Sequence, residues 1–121
     1  MHRDWILLTD KAAIAATSRN RRPRMTDVLS AVCMVSGLDR ETICGPRGAP
    51  TVASTRQLAM LVMRRHCAAR STPEIGRFLS RDHTTVISGC RSAERRLAED
   101  PEYQDLYEAV REYIGIEGAA A

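Results

Sequence analysis

Lysine is nearly absent from this chain: of its 18 basic residues 17 are arginine, and the one lysine, Lys11, follows an aspartate. A phosphate-cradling loop of the Gly-Lys-Ser/Thr kind is therefore missing, which excludes nucleotide hydrolysis by that route. Aromatic residues are also scarce, 4% against 44% hydrophobic overall. The core must then be built from Leu, Ile, Val, Met and Ala, and the expected fold is all-α, a compact helical domain. Four cysteines, Cys33, Cys44, Cys67 and Cys90, stand far apart with no C-x-x-C pair and no zinc-type spacing to His2, His66 or His83. Free packed thiols, no metal and no cofactor are expected. No run approaches the ~20 apolar residues of a membrane span, and "WILL" near the start is too short for a signal-peptide core. A reducing cytoplasm and no membrane contact are the expectation. There is no internal repeat, and 121 residues suit one domain.

What the chain has in quantity is unevenly placed charge. Residues 1–98 carry 17 basic and 8 acidic side chains, net +9, whereas residues 99–121 carry 1 and 7, net −6. The basic part is the one suited to a polyanion. Arginine offers bidentate contacts to phosphates and bases, although a GC-rich genome gives the same bias and abundance alone decides nothing.

Local signals divide the chain into helices. Residues 3–18 read as a short Ala-rich helix with Trp5, Leu8 and Ala12 on one face, either packed on the domain or given to a partner. "SRNRRPR" (18–24) follows as a basic connector, suited equally to a solvated linker and to a segment laid along DNA phosphates. Thr26 is the expected cap of a helix carrying Val28, Leu29, Val32 and Val35, which Gly37 should end in the left-handed conformation. Asp39 should start a short helical turn, RETIC, and "GPRGAP" (45–50) should be a loop.

A long helix is expected from Thr51, with Leu58, Leu61, Val62 and Met63 inward and Arg56, Gln57, Arg64 and Arg65 toward solvent. Ser71-Thr-Pro-Glu74 fits a capping box with Pro73 in the first turn, predicting a short helix through Leu79. After a turn at Ser80, Val86, Cys90, Ala93 and Leu97 recur at spacings of 4, 3 and 4 on the inner face of the next helix. Asp100-Pro101 should stop it, and Tyr103, Leu106, Tyr107, Val110, Tyr113 and Ile114 should line the inner stripe of a last helix.

Asp82-His-Thr-Thr at the start of the second of these paired helices admits two readings. Consecutive helical residues point about 100° apart, so Asp82 and His83 cannot form the hydrogen-bonded base and orienter of a catalytic triad, and no nucleophile is placed to meet them. An enzyme is not expected. Read as a helix-turn-helix, a short capped helix at 72–79 and a tight turn present Asp82, His83, Thr84 and Thr85 where the first turn of a recognition helix meets base edges. Gly76 permits close helix crossing, Asp accepts from a cytosine amino group, and Thr or His packs on a thymine methyl. The plainer alternative is that Asp82 only caps its helix.

"STPEIGRFLSRDHTTVISGCR", preceded by "TVASTRQLAMLVMRR", resembles the C-terminal DNA-binding domain of the bacterial replication initiator DnaA, through a P-E-I-G to R-D-H-T-T-V core behind an R-Q-x-A-M helix. The resemblance extends over about residues 25–114. It implies a Trp-repressor-like helix-turn-helix domain at 25–116, an N-terminal helix and basic linker at 1–24, and a disordered tail at 117–121. It further implies base contacts from Asp82, His83, Thr84 and Pro73, phosphate contacts from Arg56, Gln57, Arg64, Arg81 and Thr85, and a minor-groove arginine in the 45–54 loop, where Arg47 stands near the expected place. Leu79-Ser80 occupies the turn where the family commonly has Phe-Gly or Phe-Gly-Gly, so Ser80 should stiffen or shift the recognition helix.

The function that follows is sequence-specific binding of double-stranded DNA at DnaA-box-like sites, regulating replication initiation or transcription without ATPase activity. A single asymmetric site suits a monomer. With some 24 residues before the matching domain, the chain is expected to be either a stand-alone box binder or a fragment of an initiator. The alternative function is a protein-interaction adaptor, contacting a replication or regulatory protein through the Trp5 helix or the acidic last helix.

Overall fold

The computed structural model of the protein describes residues 22–46, 48–68 and 71–115. The helix expected at 3–18, most of the basic connector, Arg47 and the tail at 117–121 lie outside these residues. Six helices make up the described part: α1 (Met25–Ser36), α2 (Arg40–Cys44), α3 (Pro50–His66), α4 (Thr72–Leu79), α5 (His83–Glu99) and α6 (Pro101–Ile114). There is no strand among the described residues, so the all-α expectation holds.

Short-range chemistry sets most boundaries. Gly37 takes φ 82°, which only glycine adopts cheaply, and its N–H closes α1 on the Cys33 carbonyl at 2.9 Å. Asp39 accepts from the Thr42 N–H at 2.7 Å and starts α2. Pro50 occupies the first position of α3, one residue earlier than expected, where its missing N–H costs nothing. Asp100 follows the last residue of α5 and accepts from Glu102 and Tyr103 N–H groups at 3.0 and 3.4 Å, opening α6. The cap of α1 is a correction. Helix α1 begins two residues before Thr26 could cap it, because the Asp27 carboxylate reaches back to accept from the Arg24 N–H at 3.0 Å.

Helix α3 is the centre of the core. Leu58, Ala59, Met60, Leu61, Val62 and Met63 are all buried, a run too continuous for a surface helix. It packs on α5 on one side and on α1, α2 and α4 elsewhere, while α6 closes against α1 and α5. Burying a Leu, Met or Val side chain contributes roughly 1.5–3 kcal/mol, so this run anchors everything the other helices carry. The expected inner stripes of α5 and α6 are observed: Val86, Cys90 and Ala93 are buried, as are Tyr103, Tyr107, Val110 and Ile114. Leu97, Leu106 and Tyr113 pack partly buried against the core. Tyr103 donates its hydroxyl to the Ser54 carbonyl at 2.6 Å, fastening α6 to the first turns of α3. All four cysteines are free thiols, two buried and two half-buried.

One expected solvent position is corrected. Arg56 is buried, 7% exposed, because α2 docks over the start of α3 and takes its guanidinium: Nε donates to the Ile43 carbonyl at 2.5 Å. Among the described residues its Nη2 has no partner. Burial, with Arg81 nearby, pulls the Arg56 pKa down.

Candidate nucleic-acid interface

Helices α4 and α5 form a helix-turn-helix whose first member is locked at both ends. The Ser71 hydroxyl accepts from the Glu74 N–H at 3.3 Å and the Glu74 carboxylate accepts from the Ser71 N–H at 3.0 Å. At the other end Ser80 adopts φ 59°, ψ 44° and is the sole described non-glycine residue with positive φ. That left-handed residue reverses the chain at a cost on the order of 1 kcal/mol for an L side chain.

The turn is held by backbone contact with Gly76. The Arg81 N–H donates to the Gly76 carbonyl at 2.7 Å, and a Cβ on Gly76 would stand 2.4 Å from the Arg81 carbonyl oxygen. Glycine here allows the turn to lie on α4 itself, a closer role than the helix crossing expected from its spacing.

Beyond the turn the chain enters α5 with Val86 fully buried and the four residues ahead of it outside. Asp82, His83, Thr84 and Thr85 are all exposed, with 68% of the Asp82 and 53% of the His83 side chain open to solvent. Asp82 stands at the N-cap position yet makes no capping hydrogen bond. Its carboxylate instead accepts from the Thr84 hydroxyl, which is the foremost reason that its pKa is held below the usual aspartate range. His83 Nδ1 lies 3.9 Å from Asp82 Oδ1, beyond hydrogen-bond reach. The first turn of α5 thus presents an ionised acceptor, an imidazole and two hydroxyls outward on a fixed backbone.

The other residues singled out in the sequence fall into separate places. Pro73 is exposed in the first turn of α4. Arg64 is exposed and lines a groove between α3 and α5 with Arg65, Ile87, Cys90 and Arg91. Gln57 is half-buried in a second groove with Ser92, Arg95 and Arg96, its Cγ 3.4 Å from where a Cβ on Gly89 would stand. Arg81 is half-buried, its guanidinium turned inward onto the carbonyls of Leu79, Ser80 and Gly45.

A stripe left unassigned by the sequence reading is also visible. Ser88, Arg91 and Arg95 are exposed and continue the face of Thr84 at helical spacing. That outer stripe is the complement of the inner one at Val86, Cys90, Ala93 and Leu97, so the signal was present in the same periodicity. Among the described residues no three His, Cys, Asp or Glu side chains converge as metal ligands, and no helix is long and apolar enough to cross a membrane.

Residues 25–92 match the family described as the bacterial dnaA protein helix-turn-helix. The chromosomal replication initiator protein DnaA of Sphingopyxis alaskensis is 38% identical over 111 residues, covering 89% of this chain and 24% of the relative. The protein of the same name from Cereibacter sphaeroides is 30% identical over 109 residues, with the same coverages, and that from Xanthobacter autotrophicus 39% identical over 89 residues, 68% of this chain and 17% of the relative. The chain therefore spans about a quarter of the length of the first two curated relatives. The matched segment contains α4, the turn, the first ten residues of α5 and the core helix behind them, and the chain belongs to the bacterial DnaA helix-turn-helix family.

Proposed function

We propose that this protein binds double-stranded DNA sequence-specifically at DnaA-box-like sites, and so regulates replication initiation or transcription in the cytoplasm at the nucleoid. The observation that carries this reading is the exposed Asp82–Thr85 turn on an α5 that is buried from Val86 inward, the placement a major-groove reader requires. Asp82, His83 and Thr84 meet base edges and Pro73 adds an apolar contact. Gln57, Arg64, Arg81 and Thr85 hold phosphates, Arg47 enters the minor groove, and Arg56 offers its unmatched Nη2 once its side chain turns outward. Residues 25–116 act as the binding domain. The reading calls for a monomer, no cofactor and no ATP hydrolysis by this chain, in keeping with its want of a Gly-Lys-Ser/Thr loop.

Fluorescence anisotropy on a duplex bearing one TTATCCACA box and on a scrambled duplex tests it. The expected result is a box preference of about tenfold or more, beneath an overall loss of ~10³–10⁵ in affinity between 50 and 200 mM salt if six to ten phosphates are contacted. Equal binding to both duplexes would remove the sequence-specific reading and favour the protein-adaptor alternative.

A further inference from the structure

Arg81 is used by the fold before any ligand arrives. Its Nη1 donates to the Ser80 carbonyl at 3.0 Å and the Leu79 carbonyl at 3.4 Å, and its Nη2 donates to the Gly45 carbonyl, 36 residues away. Gly45 ends α2, a five-residue helix with no basic residue in its last turn. A helix leaves its final carbonyls without intrahelical partners and carries partial negative charge there. Two guanidinium groups supply what α2 lacks: Arg56 takes the Ile43 carbonyl and Arg81 takes Gly45.

The consequence is a physical link between two segments that are distant in sequence. Gly45 begins the GPRGAP loop in which Arg47 stands, and Arg81 immediately precedes the Asp82–Thr85 turn. We infer that Arg81 is a positioning residue for specificity, a staple that fixes the base-reading turn of α5 relative to the loop after α2, in addition to any phosphate contact it makes. The inference rests on the proposed DNA-reading function, but the staple itself is a property of the free protein.

Lysine separates the two roles. It keeps the charge but lacks the planar fork that spans carbonyls on two segments. In Arg81→Lys, amide hydrogen exchange of the free protein should quicken at Gly45, whose N–H donates to the Thr42 carbonyl, and at Arg81's own position, whose N–H donates to Gly76. Box preference should fall about tenfold, the size of losing roughly 1.4 kcal/mol, while the slope of log affinity against log salt stays as in the wild type. Unchanged exchange at both places, or a change at position 81 alone, overturns the staple whatever the DNA data show. A full wild-type box preference in Arg81→Lys also overturns it, and points to charge alone. In Arg81→Ala, equal losses on both duplexes with a slope reduced by ~0.9 would assign the residue to phosphate only. If the wild type itself shows no box preference, the proposed function fails while the exchange experiment still decides the link.

Discussion

Two helices that begin eleven residues apart treat their first turns in opposite ways. At the start of α4 Ser71 and Glu74 close on each other's backbone, whereas at the start of α5 Asp82 stands in the cap position without making a capping hydrogen bond and takes the Thr84 hydroxyl instead. Capping by Ser and Asp is of similar strength, so the difference is not one of residue type. The first turn of α4 is completed by its own side chains, and α5 is held by what lies behind it, with its front turned outward. A helix that draws its stability from Val86, Cys90 and Ala93 can spare its first four side chains for a partner.

The harshest way to break that arrangement is Gly76→Ala. The added methyl meets the Arg81 carbonyl oxygen, backbone that cannot step aside without moving the turn, so a loss of about 3 kcal/mol is expected in urea unfolding, together with box preference. Asp82→Ala should do the reverse. Stability stays near the wild type while discrimination at one or two base pairs falls roughly ten- to hundredfold, measured on single-substituted duplexes. Equal losses on box and scrambled DNA would remove its base-reading role. Ser71→Ala should lower stability by ~1 kcal/mol and leave the ratio of box to scrambled binding unchanged. A smaller effect of opposite sign is expected for Ser80→Gly, a gain of up to about 1 kcal/mol from relieving the left-handed serine, seen as a higher Tm.

The least perturbing test follows the charge on Asp82. Because its folded pKa is depressed, foremost by the Thr84 hydroxyl, the contribution of that contact is present above the ordinary aspartate range and disappears as pH falls through the depressed value. Thr84→Val should move the Asp82 midpoint in an NMR titration back up toward the ordinary value, with little change in fold.

These contrasts also show where the sequence is readable. Gly37, Asp39, the Ser71–Glu74 box and Asp100-Pro101 act within three or four residues, and the structure places each as its chemistry predicts. Thr26 fails as a cap for an equally local reason that was harder to rank, the reach of Asp27 back to Arg24. Arg56 is different in kind. Nothing near position 56 announces that α2 will cover it; its burial arises from a carbonyl 13 residues earlier, and the inward turn of Arg81 from one 36 residues earlier. The exposed Asp82–Thr85 turn was legible because the inner stripe of α5 fixes its outer one.

The exposed face of α6 carries Glu102, Asp105, Glu108 and Glu112, while the arginines at 64, 77, 91 and 95 are exposed on the helices of the other part. In the field of a polyanion such a molecule experiences a torque as well as a pull. Its acidic helix is pushed away while the arginine-bearing side is drawn in, so the protein turns as it approaches, before any contact forms. Within the ~8–10 Å over which physiological salt lets charges act, α6 would serve as a rudder: neutralising those four acids raises the net positive charge and should speed association overall while removing the orienting push, with the Asp82–Thr85 turn untouched.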